Sequence, residues 1–121
     1  MTELRAKPHL LDNGTLFTEA ERRHCRSRPD PAASLAGLFS AKEAFVKAVG
    51  ALPRAPAHTF PDIEIAHGPT GRPRIRLHGR IGRWFEEGNI SADVSISHSG
   101  DMAGAVVVLL AAPAPSEGEQ P

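Results

Sequence analysis

The sequence predicts an α+β fold, with helices first and antiparallel hairpins after them. Three observations carry this. A helical apolar period runs from Leu35 to about Val49. The stretch "DIEIAHGPTGRPRIRL" alternates on both sides of a Gly/Pro turn, and "ADVSISHSGDMAGAVVVLL" places a second strand pair around Ser99-Gly100-Asp101. With 121 residues, the chain suits one domain and one modest core.

In chain order, "MTELRAKPHLLDNG" is a poor independent folding unit, because Pro8 disrupts any helix through it. Thr18 followed three residues later by Glu21 forms a capping box, which predicts a short helix from about Glu19 to Cys25. Two prolines in "RSRPDPAAS" break it and leave Ser34 as a cap for the next helix. There, Leu38, Ala41, Phe45, Ala48 and Leu52 recur at three- and four-residue steps and form one apolar stripe. Phe39 and Val46 extend burial to a second face, Gly50 stands where a helix terminates, and Pro53 prevents continuation. Glu43 and Lys47 lie one turn apart, off the stripe.

After a Pro-rich connector, Ile63 and Ile65 alternate with charge, Gly68-Pro69-Thr70-Gly71 turns the chain, and Ile75 and Leu77 alternate again. "HGRIGRWFEEGN" suits a short helix carrying Trp84 and Phe85. The last hairpin pairs an alternating strand with one expected to be buried on both faces. "PAPSEGEQP" lacks core-forming residues, so the expected domain is 1–112 with a disordered tail at 113–121.

Composition narrows the function classes. Formal net charge is +0, so no global field draws in nucleic acid or an anionic membrane. The longest apolar run, Ala103 to Ala112, is about half the length of a membrane-spanning helix. A single cysteine, Cys25, makes no internal disulfide, and no secretory leader opens the chain; a cytoplasmic protein is expected.

Read for chemistry, Glu43 is an oxygen donor suited to Mg2+, which takes one or two carboxylates with phosphate oxygens and waters. Lys42 and Lys47 can neutralise phosphates that the same metal bridges. "SISHSGD" sets Ser95, Ser97 and His98 on a strand running into a tight turn, and "GPTGRPR" adds Arg72 and Arg74 on a glycine-rich loop. Each has a plainer reading. Glu43 and Lys47 at i,i+4 can be a surface ion pair, and Lys42 a solvated lysine. His98 can be a hydrogen-bonded strand histidine, Ser95 and Ser97 a polar strand face, and the arginines edge charges. His9, His58, His67 and His78 are scattered and show no metal spacing. Cys25 has no matching acid or base for nucleophilic work.

Taken together and in this order, "LFTEAE", "SLAGLFSAKEAFVKAVG", "GRPRIRL" and "DVSISHSGDMAGAVVV" resemble the 4'-phosphopantetheinyl transferases, in the small holo-acyl carrier protein synthase branch. The likeness covers roughly Leu10 to Leu110, and "AKEAFVKA" paired with "SISH" is its specific part. It implies a phosphopantetheinyl transferase-like fold, with one long helix packed on a small antiparallel sheet. It also implies Mg2+-dependent transfer of phosphopantetheine from coenzyme A to a serine of an apo acyl carrier protein, for fatty acid or polyketide synthesis. Homotrimers that share active sites between subunits are a further implication. By motif, Glu43 would ligate Mg2+ and Lys47 would contact the coenzyme A phosphates. Lys42, Gly71, Arg72, Pro73 and His98 would lie around the nucleotide, with Ser95 and Ser97 shaping the same wall.

Two departures accompany the likeness. The family opens with a strand of the form G-x-D-x-x-x-I/V whose aspartate is a second metal ligand; no such stretch precedes Phe17, and Asp12 is too close to be it. Leu38 stands where many relatives carry arginine. A missing first strand leaves a sheet edge unpaired. It fits a shortened ordinary enzyme, an acid supplied by another subunit or protein, or a relative that binds coenzyme A or a carrier protein without transfer. A protein that acts only through its assembly surface is a third class of reading.

Overall fold

The structure is a computed structural model and describes residues 14–112. The expectations of an absent first strand and of a disordered tail fall on residues outside that range. Within it, the elements are α1 (Glu19–Arg26), α2 (Pro31–Gly50), a single 3-10 turn (Phe60–Asp62), β1 (Ile63–His67), β2 (Pro73–Leu77), α3 (Gly79–Glu87), β3 (Ile90–Ser99) and β4 (Met102–Ala111). The strands form two antiparallel pairs, β1 with β2 and β3 with β4. This is the expected α+β architecture.

Helix α1 begins as its capping box dictates: Thr18 Oγ1 accepts from Glu21 N and Glu21 Oε1 accepts from Thr18 N. Helix α2 starts four residues before the expected Leu35. Asp30 caps it by accepting from Ala33 N at 3.1 Å, and Pro31 suits the first turn because its missing N–H would have no partner there. Ser34 is therefore inside the helix rather than at its cap.

Two apolar clusters meet along α2. Leu35, Leu38 and Ala41 pack with Phe17, Cys25, Ile65 and Val94. Phe45 and Val49 pack with Ile63, Ile81 and Phe85. The alternation of the hairpins sets which residues reach these clusters: Ile63 pairs with Leu77 and Ile65 with Ile75, so all four share one face. In the second hairpin Val94 pairs with Val107 and Ile96 with Ala105 toward α2, while Ser95 pairs with Val106 and Asp93 with Val108 on the opposite face.

That outer face corrects the expectation for β4. Val106, Val108 and Leu110 are 63 %, 48 % and 59 % exposed, so the strand is buried on one face only. An unbroken apolar run hides its own period, and within this chain α2 covers only one side of the hairpin.

A polar network ties the helices to the first hairpin. The Lys42 amine is fully buried and donates to Glu21 Oε1 at 2.9 Å, to the Phe60 carbonyl at 2.7 Å and to the Ile63 carbonyl at 2.6 Å. All three of its N–H donors are thereby used. Glu21 Oε2 accepts from Ile65 N at 2.8 Å. Thr18 Oγ1 donates to Glu64 Oε2 at 2.7 Å, and His78 Nε2 donates to Glu64 Oε1 at 3.0 Å. Burial pulls the Lys42 ammonium below its ordinary value, and the Glu21 carboxylate opposes that pull. Burial alone would raise the Glu64 carboxyl. The Thr18 and His78 hydrogen bonds, with the charges of His78 and Arg76, outweigh it and leave the carboxyl lowered.

Replacing Lys42 with Met strands a buried carboxylate and is expected to cost about 3–5 kcal/mol in urea unfolding, part of which Lys42→Met combined with Glu21→Gln recovers. Glu64 ionises more readily folded than unfolded, so its contribution is complete above 4.5 and is lost as pH falls below that value. Glu64→Gln is expected to flatten the acid limb of a plot of urea midpoint against pH.

Candidate active site

The residues singled out in the sequence divide into four groups in space. Gly71, Pro73 and His98 line one recess of about 230 Å³, together with His24, Arg28 and His67. Its floor is the start of α2, at Ser34, Gly37 and Leu38. Arg72, Pro73 and Ser95 line a second recess of about 270 Å³ on the outer face of β3 and β4, beside Asp93, Val106 and Val108. Pro73 belongs to both. Glu43 and Lys47 line neither, and Lys42 lies inside the protein.

His98 reaches the first recess because it faces α2, where its Nε2 donates to the Ala33 carbonyl at 2.9 Å. The approach is close at Gly37. A Cβ there would stand 3.0 Å from both His98 Nε2 and Ile96 Cγ2. Ser95 and Ser97 point the other way, since a strand alternates its side chains. They do not share a wall with His98 within one chain, which corrects that grouping, and Ser97 lines neither recess. Gly71 adopts φ 83, a left-handed turn conformation that only glycine takes without strain, and its N–H donates to the Gly68 carbonyl at 2.8 Å.

Lys42 departs most from the sequence reading. Its amine is enclosed by Glu21 and two carbonyls, so it has neither exposure nor a free donor for a nucleotide. Glu43 and Lys47 behave differently. Glu43 is half-buried and Lys47 exposed, and among the described residues neither makes an ion pair or side-chain hydrogen bond, with each other or elsewhere. The surface ion pair that their spacing allows is not formed. Glu43 lies six positions past Gly37, about 9 Å along the helix axis. Arg72 is exposed, and among the described residues its guanidinium makes only a 4.0 Å contact with Asp93.

No group of three or more metal-ligating side chains occurs among the described residues. Cys25 is buried in the first apolar cluster, and burial, with the Glu21 carboxylate, pushes its thiol up to about 11. It is a protonated core residue at neutral pH. The sequence reading missed His24 and His67, whose rings stack at 3.8 Å and 8° beside the recess. They stand far apart in sequence, and no local pattern joins them.

Residues 5–107 match the family profile described as 4'-phosphopantetheinyl transferase superfamily. The chain belongs to that superfamily. A holo-[acyl-carrier-protein] synthase of Syntrophotalea carbinolica is 43 % identical over 94 residues, covering 77 % of this chain and 73 % of that protein. The acyl carrier protein synthase of Mycobacterium tuberculosis superposes with a TM-score of 0.68 at 35 % identity, over 87 % of this chain and 89 % of that one. The Chronobacterium ammoniagenes ACPS–CoA complex gives 0.72 at 32 % identity, over 84 % and 82 %. Membership in the superfamily bears out the resemblance in the four sequence motifs.

Gly37→Ala is expected to push β3 off α2, to break the His98–Ala33 hydrogen bond and to cost about 1–3 kcal/mol in urea unfolding. Gly50→Ala is the control, because nothing lies within 4 Å of a Cβ at that position.

Proposed function

We propose that this chain is a holo-acyl carrier protein synthase. It moves 4'-phosphopantetheine from coenzyme A to a serine of an apo acyl carrier protein, with Mg2+, as a homotrimer in the cytoplasm. The observation that carries the reading is the contrast along one helix. Lys42 is wholly engaged, whereas Glu43 and Lys47, one turn apart, keep their charged ends without partners among the described residues. Superfamily membership and the activity for which these relatives are named support the same chemistry.

The donor set fits Mg2+ better than zinc. A lone uncommitted carboxylate suits a hard ion that completes its shell with water and phosphate oxygens, and no cysteine–histidine cluster competes for it among the described residues. Glu43 holds the ion in this reading, and the ion's charge would offset that of the coenzyme A pyrophosphate. Lys47 contacts the same phosphates and favours the transition state, in which their charge grows. Gly71 lets the turn backbone approach the nucleotide, while Arg72 exchanges its weak contact with Asp93 for phosphate oxygens. His98 and Pro73 shape the adenosine side, and Ser95 and Ser97 act from the outer face.

The homotrimer accounts for the division of these residues between recesses. A second copy seated on the apolar stripe of Val106, Val108 and Leu110 covers surface that a soluble monomer rarely leaves exposed. It also brings one copy's Glu43 and Lys47 toward the turn of the next, so that each site is shared.

Incubation with coenzyme A, MgCl2 and an apo acyl carrier protein is expected to add one phosphopantetheine to the carrier, read by mass spectrometry. Glu43→Ala and Lys47→Ala are each expected to lower kcat about 10²–10³-fold. Coenzyme A binding by calorimetry without transfer would instead make the chain a binding module, and neither binding nor transfer would reject both.

A further inference from the structure

The recess beside α2 has a wall made of two imidazoles. His24 of α1 and His67, the last residue of β1, stack with ring centroids 3.8 Å apart and planes 8° apart. The two anchors differ. His24 precedes Cys25, which is fixed in the core, whereas His67 leads directly into the 68–72 turn. The ladder is weak at that point. His67 pairs with Pro73, which has no N–H to donate, so the bond from Gly68 N to the Arg72 carbonyl closes the hairpin instead. The stack is thus a direct side-chain tie between the turn and α1.

The surroundings of the pair carry positive charge. Arg28, from the link between α1 and α2, acts on both rings, and His98 of β3 stands across the recess. Arg72 and Arg74 flank the turn and β2, while α2 contributes only Ser34, Gly37 and Leu38. Among the described residues, no carboxylate lines the recess. The acids nearest to the pair along the chain are committed elsewhere: Glu19 to Arg22, Glu21 to Lys42, Asp30 to the cap of α2, Asp62 to Thr59 N, and Glu64 to Thr18 and His78. Burial and the Arg28 guanidinium hold the His24 ring below its ordinary value. Burial, His24 and Arg28 do the same for His67. Both rings are therefore neutral at neutral pH, the state in which parallel stacking carries no charge repulsion.

We propose that the His24–His67 stack is a proton-sensitive clasp, which holds the Gly71–Arg72 turn in the position that shapes the nucleotide recess and releases it when both rings are protonated. The inference rests on the reading of this recess as the coenzyme A site. Two cations face to face beside Arg28 have no counter-charge among the described residues that line the recess, so the rings part as the second proton arrives. The turn then follows His67, the end that the ladder holds weakly. His24 and His67 are positioning residues here: they act through the turn, and the chemistry stays with Glu43 and Lys47.

The test compares the wild-type protein with His24→Phe/His67→Phe, which keeps two flat rings and removes their protons. In the wild type, KM for coenzyme A is expected to rise about fivefold from about pH 7.5 to about pH 5.5, with kcat changing less. In the double variant that ratio is expected to fall below about twofold. His24→Ala, which removes the stack, is expected to raise KM at both pH values, and His24→Phe to restore most of the loss at the higher one. A second arm needs no activity. Amide hydrogen exchange at Gly68, Thr70 and Gly71, corrected for the intrinsic pH dependence, is expected to quicken in acid in the wild type and not in the double variant. Equal acid dependence of this exchange in both proteins overturns the clasp. Acid-quickened exchange in the wild type only, with no coenzyme A binding at either pH, upholds the clasp and overturns the assignment of the recess.

Discussion

A lysine amine with no water around it sets the frame for everything else in this chain. Lys42 rises from the middle of α2 and binds three oxygens from different segments: the Glu21 carboxylate of α1, the Phe60 carbonyl in the 3-10 turn and the Ile63 carbonyl that opens β1. Each of these groups is costly to bury alone, and each satisfies another. Because Glu21 also closes the capping box at Thr18 and accepts from Ile65 N, the same carboxylate fixes where α1 begins and where β1 runs. The network thus sets the distance between α1 and the first hairpin, and with it the width of the recess that the two enclose.

Helix α2 acts through several faces at once. Leu35, Leu38, Ala41, Phe45 and Val49 join two apolar clusters. Gly37 admits β3 to near-contact, so that His98 can bond the backbone of the first turn. Glu43 and Lys47 occupy a remaining face where nothing in the described chain claims them. The helix backbone that carries them is held firmly through its other faces, which fixes where these two side chains begin.

Much of this was legible from residue order. The Thr18/Glu21 box, the period of α2 and the alternation around Gly68–Gly71 each reflect a local rule, and each produced the element expected. The misses lie where the deciding partner is distant. Nothing near Lys42 in sequence announces that Glu21 and two carbonyls will enclose it, so it read as a phosphate ligand alongside Lys47. His24 and His67 meet only because α1 packs on the end of β1. Ser95, Ser97 and His98 were separable in principle, since odd and even strand positions face opposite ways, but the motif in which they occur invited grouping. The unbroken run of β4 concealed its alternation, and only the placement of α2 on one side shows which half is covered.

Pro73 forms part of two cavities, one facing α2 and one on the outer sheet face. A pyrrolidine ring is stiff and fixes its own backbone torsion, so the shared part of the two linings has little freedom of its own. A substitution at this position changes the lining of both chambers at once.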